Sequence, residues 1–418
     1  MAAANPARDA PVRQGSLRTH NLALVLRHIT MGRRPVSRAD VAAATGLTRA
    51  TVSTLVDDLL AGRLVTEVDP APRPGAGRPA VGLRLSSSGP AGLGLEINVD
   101  YLAACVVGLT GDTRHHEVRA GDQRGRDPDA VLDDVASLAA VAVKAAAAED
   151  LAVAGATLAV PGLVDGNLVR LAPNLGWHDV EVTAALLARP PLAGVPLVID
   201  NEANLAALGE LHAGADADPS AERASFLYVS GEIGIGAGIV LDGTLYRGGR
   251  GFSGEIGHMT IRPDGSLCRC GARGCLETYA NQEAILGAAG LARDDDPGQA
   301  GGGAAVARLA ALARAGAPVA LRALEDAGAA LGVAVASVVN LLDVDTVVLG
   351  GIYAPLAPWL SGPVEREIAE RVLTAAWAPV TVRPSVLGAS ATVVGAAGSV
   401  VRAIRDNPAS WLSLSPSI

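Results

Sequence analysis

Aromatic residues make up only 3% of this chain and charged residues 18%, and there are four cysteines, three methionines and a single lysine, Lys144, among 418 residues. Four cysteines are too few for the disulfide framework of a secreted scaffold. No uninterrupted apolar run approaches the roughly 20 residues of a membrane helix. The start, residues 1–14, carries Arg8, Asp9 and Arg13 but no apolar core segment, so it does not read as a secretory signal. These absences predict a soluble, cytoplasmic protein with no membrane partner. The preference for arginine over lysine, like the heavy use of alanine, we assign to base composition. Hydrophobic residues, at 50%, exclude a disordered chain. At about 150 residues per domain, the length predicts two or three domains.

Charge is divided unevenly. Residues 1–90 hold 12 arginines against 6 acidic residues, whereas the whole chain has a net charge of −9, so a basic head precedes an acidic body. A basic segment of this size suits contact with a phosphate backbone. Residues 17–31 carry Leu22, Val25, Leu26 and Ile29 at helical spacing. Ser37 and Asp40 have the spacing of a capping box, Gly46 marks a turn, and Thr48 caps a third helix reaching Ala61. The small core this implies leaves Arg49, Ala50, Thr51 and Ser53 at the exposed start of the third helix, where a recognition helix meets base edges. Two short strands, 64–68 and 81–85, flank a segment rich in Pro and Gly that contains Arg73 and Arg78. The pattern predicts a winged helix-turn-helix over residues 1–88 that binds double-stranded DNA. Ser37, Thr48, Arg49, Ala50, Thr51, Ser53, Arg73 and Arg78 are the candidate contacts. A bland loop would also be rich in Pro and Gly, but arginines on a stiff hairpin suit a minor groove or phosphates.

From Gly92 the texture changes to apolar strands, glycine turns and alanine-rich helices, which predicts an α/β architecture. Residues 93–112 and 226–243 each read as strand, polar turn, strand, ending in Leu109-Thr110-Gly111-Asp112 and Leu241-Asp242-Gly243. The echo predicts two related lobes, 89–200 and 201–389, the first completed by a C-terminal helix at 390–406. A ligand would sit between them. Within eighteen positions lie His258, Cys268, Cys270 and Cys275, the four borderline-soft ligands that tetrahedral zinc requires. Four protein ligands leave no position open for water, so this zinc would be structural. Cys105, inside an apolar strand, reads as core.

The zinc loop, its leader Gly254-Glu255-Ile256-Gly257-His258, the run Gly234-Ile235-Gly236-Ala237-Gly238 and the fused helix-turn-helix resemble the repressor, open-reading-frame, kinase (ROK) family, most closely its xylose-repressor-like regulators. The resemblance covers essentially the whole chain. It implies an actin-like, sugar-kinase type (ribonuclease H-like) body with a sugar between its lobes, and a homodimer or homotetramer. The family's sugar-binding positions fall on Asn201, Glu202, Glu255, His258 and Glu277, and a further cleft motif on Asn174. Carboxylates and amides suit vicinal hydroxyls, and a metal-bound His is fixed in orientation. Asn201 and Glu202 would equally suit a helix N-terminus, and Asn174 a turn.

Departures from the kinase branch favour a sensor over an enzyme. Glu202 stands where the kinases carry their aspartate base, and a longer arm misplaces a carboxylate by an amount that can cost roughly a hundredfold in rate. The first phosphate-binding turn reads Glu96-Ile97-Asn98-Val99-Asp100 and lacks glycine; in the second, Ser230-Gly231-Glu232-Ile233, Glu232 adds an acid. Anions in both turns are expected to repel ATP phosphates. The function expected is a sugar-responsive transcriptional regulator, most simply a repressor without catalytic residues. The alternative is an ATP-dependent sugar kinase with a fused DNA-binding head.

Overall fold

The computed structural model describes residues 14–32, 34–69, 81–217, 223–291 and 302–414. The head is built from α1 (Gln14–Met31), α2 (Arg38–Thr45), α3 (Arg49–Ala61) and the antiparallel pair β1 (Val65–Val68) and β2 (Gly82–Leu85). Its helix boundaries follow from local chemistry. Ser37 and Asp40 form the reciprocal capping box at α2, Gly46 ends that helix at φ 72°, and the Thr48 side chain accepts the Thr51 N–H at the start of α3. Arg73 and Arg78, expected on the wing, lie outside the described residues.

The first body sheet runs β10-β6-β3-β4-β5, formed by β3 (Gly89–Ile97), β4 (Tyr101–Gly108), β5 (Thr113–Ala120), β6 (Leu151–Val160) and β10 (Leu197–Asn201). The helix α4 (Pro128–Ala148) covers it, and a small sheet of β7 (Leu163–Asp165), β8 (Leu168–Ala172) and β9 (Trp177–Glu181), followed by α5 (Val182–Leu187), is inserted before β10. The helix α6 (Glu202–Ala217) then leads to the second sheet, β13-β12-β11-β14-β15. Its strands are β11 (Phe226–Gly231), β12 (Ile235–Leu241), β13 (Thr244–Tyr246), β14 (Thr346–Gly351) and β15 (Thr381–Pro384). Both sheets pair two strands antiparallel on one side of their first strand and two parallel on the other. The repeated strand-turn-strand text in the sequence is the antiparallel half of each sheet.

Helices α7 (Glu277–Ala280), α8 (Gln282–Ala288), α9 (Gly302–Arg314), α10 (Pro318–Leu342) and α11 (Tyr353–Arg371) belong with the second sheet. By length and composition α10 could cross a membrane, contrary to the expectation from uninterrupted apolar runs, but its apolar face is core, with Leu324, Leu331, Val335 and Val339 buried. Pro358 and Pro363 lie inside α11, and Pro363 is buried against Gly328 of α10, where no side chain stands in its way.

The chain ends in α12 (Ala391–Asp406) and α13 (Pro408–Leu414), and these join head to body. Val393, Ala397, Val401 and Ile404 of α12 share one apolar core with Leu22, Val25 and Leu26 of α1, Leu55 and Leu59 of α3, and Ala103, Cys105 and Val107 of β4. From α13, Trp411 Nε1 donates to the Gly62 carbonyl at 2.9 Å. Backbone approaches on the other faces of α12 are equally close. A Cβ at Gly92 or Gly94 of β3 would stand 2.1 Å from the Ala397 or Val393 carbonyl, and one at Gly395 would stand 1.9 Å from the Leu205 carbonyl of α6.

Alanine normally stabilises a helix interior over glycine by about 1 kcal/mol. Gly395→Ala must displace backbone, and overpacking costs about 1–3 kcal/mol, so the net effect is expected to be destabilising. Gly287→Ala in α8 meets nothing within 4 Å and should be stabilising. Urea unfolding of the two variants checks this; equal shifts of the same sign would show that α12 is not closely seated.

Candidate functional site

At the head, Thr48, Arg49 and Ala50 are exposed and Thr51 and Ser53 partly so, on the N-terminal turn of α3. Arg49 makes no hydrogen bond or ion pair among the described residues, while Arg38 is held by Glu67 at 2.6 Å and Asp57 at 2.9 Å. The positive helix end and a free guanidinium thus face solvent together. Ser37 is a correction to the list of DNA contacts. It is buried, and its hydroxyl and N–H are both engaged with the Asp40 carboxylate, at 2.7 and 2.9 Å, so it orients α2 and offers nothing to a phosphate.

The metal-ligand set converges. One ligand atom from each of His258, Cys268, Cys270 and Cys275 lies within 4.8 Å of all the others. Cys268 Sγ is 3.9 Å from His258 Nδ1, and Cys270 Sγ is 3.7 Å from Cys275 Sγ. Tetrahedral thiolates about 2.3 Å from zinc stand about 3.8 Å apart, so these side chains fit a closed four-ligand site. With Nδ1 turned to the thiols, Nε2 of His258 faces away from them. In the same loop Arg269 reaches Asn174 Oδ1 at 3.3 Å and Glu283 at 2.7 Å, tying the second sheet's metal loop to the segment between β8 and β9.

The six expected sugar positions do not share one cavity wall. Asn201 and Glu255 line a cleft of about 390 Å³ with Asn167, Asp200, Asn204 and Arg247, within the usual range for small-molecule sites. Asn174 and Glu277 converge instead on Gly234, whose added Cβ would stand 3.2 Å from Asn174 Nδ2 and 3.2 Å from Glu277 Oε2. His258 interacts electrostatically with both Glu255 and Glu277, and Glu255 with Glu202, so the row is continuous although its walls are not. Asn201 proves to be a helix cap: its Oδ1 accepts the Ala203 and Asn204 N–H groups at 2.9 and 3.3 Å, and its Nδ2 donates to the Gly162 carbonyl at 3.0 Å. Sequence reasoning missed the neighbouring pair in which Arg247 grips Asp200 with two bonds, at 2.8 and 2.5 Å, across the cleft between the sheets. No motif marks it.

On the phosphate side the acids expected to repel phosphates stand together. Glu96, Glu202 and Glu232 meet around a space of about 10 Å³ with Tyr101 and Tyr228. Burial, reinforced by the Glu202 charge, pushes the Glu96 carboxyl up to about 8, and burial with the nearby Glu255 pushes Glu202 up to about 7. Burial and the facing acids hold Glu232 well above the ordinary carboxylate range. Both Glu96 and Glu232 are therefore biased toward the protonated form. Asp100 is paired with Arg124 at 3.2 Å. The space between the turns is small, about 10 Å³, room for roughly one water.

The protonation has a consequence for stability. Folded Glu96 retains a proton between pH 4.5 and about 8, a window in which the unfolded chain releases it, so stability should fall as pH rises through that window. Glu96→Gln, neutral throughout, should flatten the decline. Calorimetric melting temperatures of the two proteins across this range decide it; parallel slopes would show that Glu96 is ionised when folded.

Comparison with known proteins agrees with this geometry. The ROK family profile matches residues 92–402, and a MarR family profile matches residues 22–76. The xylose repressor of Bacillus spizizenii strain W23 is 29% identical over 390 residues, covering 92% of this chain and 96% of its own. A crystal structure of a ROK family transcriptional regulator, homologous to the Escherichia coli MLC protein, superposes with a TM-score of 0.76 at 25% identity, over 95% of this chain and 99% of that one. A ROK family glucokinase from Streptomyces griseus, solved with glucose and AMPPNP, reaches a TM-score of 0.61 at 26% identity, over 74% of this chain and 98% of that one. This chain belongs to the ROK family and carries a MarR-type helix-turn-helix at its N-terminus.

Proposed function

We propose that the chain is a sugar-responsive DNA-binding repressor that works in the cytoplasm as a homodimer or homotetramer and transforms no substrate. The observation that carries this is the asymmetry of the body: about 390 Å³ of space on the sugar side and about 10 Å³ where a nucleotide's phosphates would enter. A head at residues 1–88 holds the operator through Thr48, Arg49, Ala50, Thr51 and Ser53. Two lobes, 89–200 closed by the helix at 390–406 and 201–389, hold the carbohydrate. Glu202, Glu255, His258, Glu277 and Asn174 supply its hydrogen bonds, and Asn201 supports their backbone. Since the B. spizizenii relative is a xylose repressor, a pentose heads the panel of sugars to test.

Zinc held by His258, Cys268, Cys270 and Cys275 would be structural, fixing the loop and the His258 ring. Glu255 and His258 could then meet adjacent hydroxyls without a search over rotamers. For the sugar to release DNA it must bind the released conformation more tightly, and a tenfold preference corresponds to about 1.4 kcal/mol.

Operator binding at fixed salt, measured by fluorescence anisotropy with and without each sugar, is the direct test. At least a tenfold loss of affinity is expected with the cognate sugar; no effect from any sugar would sink the sensing claim. The same panel with ATP and magnesium should release no ADP. Arg49→Ala should weaken operator binding and reduce its salt dependence while sugar affinity is kept. Cys270→Ser should lower the zinc content measured by plasma mass spectrometry and weaken sugar binding, and full metal stoichiometry in that variant would contradict the ligand set.

A further inference from the structure

A second cavity lies where head meets body. It has a volume of about 280 Å³ and is bounded by Arg27 and Met31 of α1, His212 of α6, and Gly398, Arg402 and Arg405 of α12. Its composition is lopsided in charge. Three guanidiniums and an imidazole surround it against one carboxylate, Asp406. Arg402 is placed by Asp406 at 3.0 Å, and Arg405 Nε donates to the Leu109 carbonyl at 3.0 Å, so both are oriented before any ligand arrives. Arg27 is exposed and makes no hydrogen bond or ion pair among the described residues. The rest of the wall is apolar, with Val107, Val394 and Val401. Room is kept by a glycine: a Cβ at Gly398 would meet only His212 Nδ1, at 3.7 Å.

We propose that this cavity binds a small phosphomonoester, with the phosphate on the arginines and a short carbon body against the valines, as a second ligand site separate from the cleft. Guanidiniums match a phosphate dianion with paired hydrogen bonds. The volume lies at the small end of metabolite sites, which admits a phosphorylated metabolite of a few carbons. A pocket of this volume between three helices is too small to take in a duplex. The occupant touches α1 of the head and α12 of the body at once, so it binds best at one spacing of these helices and favours that spacing in return. The effect on operator affinity rests on the repressor reading, whereas the binding itself does not.

The test is isothermal titration of the full chain with glycerol 3-phosphate at constant ionic strength, with inorganic phosphate and glycerol as parallel arms. Saturable binding of glycerol 3-phosphate is expected, weaker binding of inorganic phosphate, and none of glycerol. Gly398→Leu, which fills the cavity, should abolish binding. Arg27→Gln, an exposed change that spares the fold, should weaken it at least tenfold, and both variants should bind the cleft sugar as the wild type does. No saturable binding in the wild type, undiminished affinity in the Arg27 variant, or equal affinity for inorganic phosphate would overturn the assignment. Loss of operator response with phosphomonoester binding intact would count against the repressor reading alone.

Discussion

The structure depends on how α12 is seated. One face lies against β3 so closely that Gly92 and Gly94 have no room for a side chain, a second crosses α6 at Gly395, and a third joins the apolar core of the head. Such contacts are backbone on backbone and cannot be relieved by a rotamer change. The first sheet, the helix that leads to the second sheet and the DNA-binding head thus share a single wall. Thr157 and Ser399, 2.9 Å apart, add a polar pin between β6 and the same helix.

The two sides of the body differ in volume as well as in charge. Carboxylates in the two turns repel phosphates only when ionised, and loss of solvent together with their mutual proximity biases Glu96 and Glu232 toward the protonated form. The Tyr101 hydroxyl gives Glu96 one bond at 2.8 Å, while Glu96 Oε2 has none. Raised proton affinity lets these acids stand close together around a small space. The sugar side solves the opposite problem. Arg247 holds Asp200 with two bonds, and the cleft beside them stays open.

What could be read in the sequence was local. The capping box of Ser37 and Asp40, the left-handed Gly46, the Thr48 cap and the metal-ligand spacing each act within a few residues, so they are written in order along the chain. The repeated strand pairs were legible for the same reason. Contacts made across long separations were not. Arg247 with Asp200, Arg269 with Asn174, and Trp411 with Gly62 join segments with no shared pattern. Helix α11 carries two prolines that local propensity reads as breaks, and it persists because Pro363 packs onto Gly328 of α10. The suppressed charge of Glu232 was illegible too, since a sequence shows an acid but not the solvent it has lost. For Asn201, two roles suited the same residue, and only geometry assigned the cap.

These contacts constrain how the cleft can communicate with the head. Asn201 caps α6 and also holds Gly162, beside the cleft, so a shift of this cleft wall moves the first turn of α6. About two turns further on, α6 bears directly on α12 through Gly209 and Gly395. Because the backbones touch at that crossing and only small or short side chains such as Ala391 and Ala396 flank it on α12, a shift of α6 would carry α12 with it or open the crossing. Following is the less costly course, since opening would expose the apolar face shared with Leu22 and Val25. A movement at the cleft would by this route reach α1, the helix on which the head's three-helix core is built.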